Sequence, residues 1–161
     1  GDTRRELARG VAFVIVPGLD FKLSATGEGY LTLYAITQKN SVATTTGVSL
    51  QVFDAGTTPS SVRSWSDVAR SLIAPSPVTD QSQLAVDAIE LPPLSMSRPT
   101  SAGAAQEEIW IVTGGELEVL LGKQLRKLSA GMAYRVPPTG STPHANINVS
   151  GAATTLLRVA E

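Results

Sequence analysis

The stretch Gln106–Gly115, QEEIWIVTGG, runs into Glu116–Gly122, ELEVLLG, and is followed by Gly131–Gly151, GMAYRVPPTGSTPHANINVSG; its reading decides the fold. In an extended chain, side chains alternate between two faces. Glu108, Trp110 and Val112 therefore share one face, and Glu107, Ile109 and Ile111 share the other. In the next run Glu116 and Glu118 alternate with Leu117 and Val119, which directs the acids to water and the aliphatics inward. Glycines punctuate the runs, because they adopt turn conformations that residues with a Cβ resist. Leu121-Gly122-Lys123-Gln124 reads as a tight hairpin with glycine first in the turn, the type II′ choice.

The same pattern extends outward. Short β-branched or aromatic runs occur at Val11–Val16, Tyr30–Ile36, Val48–Phe53, Leu84–Leu91, Glu107–Val112, Glu116–Leu121, Ala133–Val136 and Thr154–Val159. Their boundaries carry Gly, Pro, Asn, Ser and Thr. Many short strands with turn signals predict an all-β sandwich or barrel. One helix is expected. Ser64 and Asp67 resemble a capping box, Trp65, Val68, Ala69, Leu72 and Ile73 form an apolar stripe at helical spacing, and Pro75 and Pro77 end it. Its flanks are rich in Ser, Thr, Pro and Ala and read as linkers. A helix this short is marginal in water, so it is expected to dock on a sheet.

Composition removes several function classes. Of 161 residues, 42% are hydrophobic and 17% charged, the balance of a folded domain. A net charge of −1 gives no attraction for a polyanion, so no nucleic-acid partner is expected. The longest apolar run, Val11–Pro17, is too short to span a bilayer, and no membrane partner is expected. No signal peptide is visible, and the cellular location stays open. The absence of cysteine excludes disulfides, thiol nucleophiles and Cys-based zinc sites. With His144 as the only histidine, no site needing two imidazoles can be built within one chain. No G-x-S-x-G elbow, P-loop or dinucleotide fingerprint is present.

A faint repeat links the two ends. LARGVAFVIVPG at Leu7–Gly18 echoes LSAGMAYRVPPT at Leu128–Thr139, with Gly10/Gly131, Ala12/Ala133 and Phe13/Tyr134 coinciding. Either two related barrels, the first represented only by its second half, or chance similarity of two hairpins accounts for it.

Leu84–Glu161 resembles a complete domain of the cupin superfamily. Glu108, the following six residues and Gly115 match the second half of the first cupin motif. The histidine pair of that motif would fall at Ala102 and Ala104, or at Ser101 and Gly103, and neither pair can ligate a metal. Gly131, Pro137, His144 and Asn148 match the second motif, with PPTGSTPH one residue longer than the usual segment. The resemblance implies a double-stranded β-helix, or jelly roll, of the RmlC type, with extra N-terminal strands and one short helix. Residues 1–54 are then strands like the second half of a cupin, 55–83 a linker with the helix, and 84–161 the barrel. The N-terminal part is either an incomplete second barrel or strands added to the first.

If Glu108 stands at the family's ligand position, it points inward, and Trp110 lines the same interior. Glu108, Trp110, Tyr134 and His144 are the expected ligand-binding residues, with no catalytic residue, metal or other cofactor assigned. A catalytic metal centre generally uses three protein ligands with an open position, and Glu108 and His144 are two. Trp110 and Tyr134 serve either as stacking walls or as core packing. Arg98 occupies the loop where the histidines would stand, and is expected at the surface. Three readings follow: a metal-independent binder of a small organic ligand, a sugar or a carboxylate; a metal-dependent enzyme of the isomerase, dioxygenase or decarboxylase type; or a structural or regulatory domain with a filled barrel. The outer face carrying Ile109 and Ile111 needs cover from another sheet or a second subunit, and the unpaired edges and open face of an N-terminal half-barrel make a homodimer the expected assembly.

Overall fold

The computed structural model describes residues 4–15, 20–37, 50–62, 65–73 and 84–161. Among these residues thirteen strands follow in order: β1 Val11–Ile15, β2 Leu50–Asp54, β3 Ser61–Val62, β4 Val68–Ile73, β5 Ala85–Leu91, β6 Ser95–Met96 and β7 Thr100–Ser101. Then come β8 Glu108–Gly114, β9 Glu116–Leu121, β10 Gln124–Ser129, β11 Ala133–Val136, β12 Pro143–Asn148 and β13 Thr154–Ala160. A six-stranded sheet has the order β11-β8-β13-β5-β4-β3, and a five-stranded sheet the order β10-β9-β12-β6, with β7 also paired to β12. The chain crosses from one sheet to the other at β5–β6, β7–β8, β8–β9, β10–β11, β11–β12 and β12–β13, which is the jelly-roll path.

Two of those crossings need glycine. Gly115, between β8 and β9, has φ +78, and a Cβ there would lie 3.0 Å from Thr154 Oγ1. Gly131, ahead of β11, has φ +88. Gly122 has φ +60 and Lys123 does not share the positive value, which fits the II′ hairpin joining β9 to β10.

Alternation decides what is buried. Trp110 and Val112 of β8, Leu117 and Val119 of β9, Ile89 and Leu91 of β5, Val136 of β11 and Leu156 of β13 pack in one core between the two sheets. Ile111 is half-buried and Ile109 is exposed on the opposite face. A second cluster lies on the outer face of the six-stranded sheet. There Leu72, Ile73 and Val86 pack with Ala88 and Leu157, and with Ala12, Val14, Phe53 and Ala55 of the β1–β2 ribbon and its turn. The N-terminal ribbon thus covers part of that face.

Two expectations are corrected. No helix is found among the described residues, and the segment expected to be helical is strand β4, paired to β5 and β3. The cause is a register shift between Ser71 and Ile73. Ala69 faces the inner core, while Leu72 and Ile73 both face the outer cluster. A bulge lets two consecutive residues of a strand share a face, and that doublet imitates helical spacing. Trp65, expected on the helical stripe, is 63% exposed at φ 89. Ser64, Pro75 and Pro77 lie outside the described residues. The second correction is Tyr30–Ile36, which forms no strand and leaves Tyr30, Leu31, Leu33, Tyr34 and Ile36 exposed. Val16, Pro17, Gly18, Val48 and Ser49 also fall outside the described residues. β1 and β2 pair antiparallel from Val11 opposite Asp54 to Ile15 opposite Leu50.

Candidate functional site

Strand register builds a polar row on the inner face of the six-stranded sheet. Tyr134 stands opposite Trp110, Trp110 opposite Arg158, and Arg158 opposite Asp87. One step along, Val112, Leu156, Ile89 and Ala69 form a wholly apolar row. One end of the interior is therefore dry, and the other carries charge and aromatic rings. Glu108 lies at the polar end, two residues from Trp110 on the same face and 7% exposed. From the five-stranded sheet, His144 and Asn146 of β12 are two residues apart and 2% and 0% exposed.

The sequence-expected residues meet there. His144 Nε2 lies 3.6 Å from Glu108 Oε2, too far for a hydrogen bond but well inside Coulombic range. The Trp110 and Tyr134 rings stack with centroids 6.1 Å apart and planes 7° apart. His144 meets Trp110 edge-on at 5.4 Å and 61°, and its ring lies 6.0 Å from that of Tyr134. Trp110 Nε1 donates to Glu108 Oε2 at 2.9 Å, so the indole is both wall and donor.

Three further members were not singled out by the sequence reading. Arg158 donates through Nε and Nη2 to Glu108 Oε1, at 3.1 and 2.6 Å, and through Nη1 to Asp87 Oδ2 at 2.8 Å. Its guanidinium carbon sits 6.0 Å from the Trp110 ring centroid. Asn146 Oδ1 accepts from Tyr134 Oη at 2.9 Å. The signal for Arg158 was its spacing from Leu156, which shares its face; for Asn146, its spacing from His144.

Electrostatics follow from this packing. Burial pushes the Glu108 carboxyl up, but the hydrogen bonds from Arg158 and Trp110 outweigh it and hold the group below 4.5, as a carboxylate. Burial lowers the His144 imidazole below 6.5, with Arg158 adding to the effect; Glu108, and more weakly the Thr100 backbone, oppose it. Burial raises the Tyr134 phenol well above 10, so it stays a neutral donor. His144 Nδ1 and Asn146 Nδ2 are buried and have no hydrogen-bond partner among the described residues.

The arrangement does not fit a metal ion. Ala102 contributes a methyl group to the core, and Ala104 is an exposed residue bridged to Thr139. Both Glu108 oxygens are engaged by cationic or N–H donors. Among the described residues, no group of three or more His, Cys, Asp or Glu side chains could hold a metal. Arg98 is exposed. Arg135 is exposed and paired with Glu107, Nη2 to Oε2 at 2.7 Å. Asn148, the last residue of the second motif, has a scaffolding role: its Nδ2 donates to the carbonyls of Leu91, Pro92 and Ala152, and its Oδ1 accepts from the Ser150 backbone.

Fold and interior together define a small all-β jelly roll with a polar cluster at one end of its core. Residues 89–159 match the family described as Cupin domain. That match spans the barrel strands, and the fold of this part of the chain is a jelly roll of the RmlC-like cupin type. Its structure is similar to that of a predicted oxalate decarboxylase from Thermotoga maritima: TM-score 0.60, 16% identity, covering 68% of this chain and 97% of that one. The cupin domain of Schizosaccharomyces pombe Cnp3 is similar at TM-score 0.56 and 14% identity, covering 69% and 74%. The polyketide cyclase RemF from Streptomyces resistomycificus is similar at TM-score 0.54 and 18% identity, covering 65% and 74%. These likenesses concern the fold alone. No curated protein sequence matches the chain. No helix among the described residues is long and apolar enough to cross a membrane.

Proposed function

We propose that this chain binds a small organic molecule at the polar end of its jelly roll, without metal catalysis. The observation that carries the reading is the pair of buried, unpartnered polar atoms, His144 Nδ1 and Asn146 Nδ2, beside the Trp110–Tyr134 stack. Leaving such an atom unsatisfied costs about 1–3 kcal/mol, and native interiors rarely do so. A ligand group reaching both atoms recovers that energy, while the stacked rings supply apolar contact area. Arg158 and Tyr134 are the half-buried members through which solvent meets the cluster. A thermal-shift screen of sugars, amides, lactones and carboxylates tests the reading. A hit that raises the melting temperature of the native chain but not of Asn146→Ala supports it; a uniformly flat response contradicts it.

A second reading has its own support. Glu108, Trp110 and His144 are buried against one another, as in a filled core, which favours a structural or regulatory domain. The flat screen is the result that selects it. In either case we propose a homodimer, since Phe21, Tyr30, Leu31, Leu33 and the outer-face Ile109 expose apolar surface. Sedimentation equilibrium reads the mass directly.

A further inference from the structure

Resting on the binding reading above, the geometry points to an uncharged ligand: a molecule with a hydroxyl or carboxamide group and a flat apolar face, in preference to an anion. The cation that would attract an anion is already enclosed. Arg158 directs Nε and Nη2 at Glu108 and Nη1 at Asp87, so both edges of its planar fork face carboxylates. Bidentate capture of a carboxylate or phosphate needs a free edge. An incoming anion would also meet Glu108 itself, within the same desolvated cluster, where like charges repel strongly.

The unpartnered atoms point the same way. The Glu108 carboxylate, 3.6 Å from His144 Nε2, favours the imidazole tautomer with its proton on Nε2. Nδ1 is then an acceptor, and Asn146 Nδ2 is a donor, because Asn146 Oδ1 already accepts from Tyr134. The two atoms sit on alternate residues of one strand. A hydroxyl can donate to the first and accept from the second, and so can a carboxamide, through its NH2 and its oxygen. A carboxylate only accepts, and leaves Nδ1 unsatisfied. The Trp110–Tyr134 stack beside them suits a planar or apolar face.

The test uses matched pairs that differ in charge: nicotinamide with nicotinate, and glucose with glucuronate. Titrations of the full chain are followed by NMR through the His144 imidazole and Asn146 carboxamide signals, near neutral pH and at fixed ionic strength. The expected result is that the uncharged member of at least one pair shifts those signals with at least tenfold higher affinity than its anion. Asp87→Asn, which takes the negative charge off one edge of Arg158, is expected to narrow that gap at least threefold. An anion that binds as tightly as its neutral partner in the native chain overturns the inference and leaves the binding reading standing. If no member of either pair, and no compound of the wider thermal-shift screen, perturbs the chain, both fall. The native-chain comparison decides even where Asp87→Asn fails to fold.

Discussion

Arg158 of β13 and Glu108 of β8 form a charge-assisted pair inside the jelly roll, with Nε and Nη2 of the arginine 3.1 and 2.6 Å from one carboxylate oxygen. The other oxygen takes the Trp110 indole N–H, and the far side of the guanidinium takes Asp87. A fixed organic cation therefore sits against the carboxylate at the position to which the cupin resemblance assigns a metal ligand. Truncating one member of a buried pair strands the other, which costs about 3–5 kcal/mol. Arg158→Met is expected to destabilise the chain by about that amount in urea unfolding. Glu108→Gln, which keeps the shape and leaves Arg158 with Asp87, is expected to cost about 1–3 kcal/mol. The double variant should lose less than the sum of the two. Strict additivity would show that the pair is energetically uncoupled.

Acid should weaken the fold in two stages. His144 titrates lower in the folded chain than its ordinary 6.5. Above 6.5 it is neutral in both states; as pH falls below 6.5 the unfolded chain takes up a proton that the folded chain resists, and stability drops. Glu108 titrates below 4.5 when folded, so its contribution is present above 4.5 and is lost as pH falls through the folded value. Urea midpoints measured from pH 8 to pH 4 check the first stage. His144→Gln is expected to flatten the decline that begins near 6.5; an unchanged decline would assign it to other groups.

The strands flanking glycine turns were legible because one face of each is apolar, as with Leu117 and Val119 against Glu116 and Glu118. Four places were not. In β12 the inward residues include His144 and Asn146, so hydropathy alternation fails where the core is polar. In β10 exposed Leu125 and the charged Arg126 and Lys127 carry no buried face to read. In β4 the bulge placed Leu72 beside Ile73 on one face and imitated a helix. Tyr30–Ile36 has strand composition without a strand partner among the described residues. Within the site, Glu108, Trp110, Tyr134 and His144 were found through alternation and motif spacing. Arg158 was hidden because Leu156 and Leu157 face opposite clusters, leaving no alternation around it.

The Asn148 side chain ties the end of β12 to Leu91, Pro92 and Ala152 through three carbonyls. Asn148→Ala should cost about 2–4 kcal/mol by leaving buried acceptors without donors. Asn148→Asp should be worse than Asn148→Ala, because a carboxylate would face the same carbonyls. Thermal unfolding of the two variants ranks them, and melting temperatures equal to that of the native chain would remove the scaffolding role.

Removing the indole N–H alone should be milder. Trp110→Phe keeps an aromatic wall but deprives Glu108 Oε2 of its donor, an expected loss of about 1 kcal/mol. The carboxyl should titrate higher as a result. A Glu108 carboxyl carbon that titrates identically by NMR in the two chains would contradict that assignment.

The central claim, that Arg158 rather than a metal ion is the resident cation of this jelly roll, is tested most directly by elemental analysis of protein purified without chelator, paired with melting curves in manganese, iron(II), nickel and zinc. The account predicts metal far below one equivalent per chain and a melting temperature that neither EDTA nor any of the four ions moves. One equivalent of a transition metal that depends on His144, with a melting temperature that falls in EDTA, would contradict it.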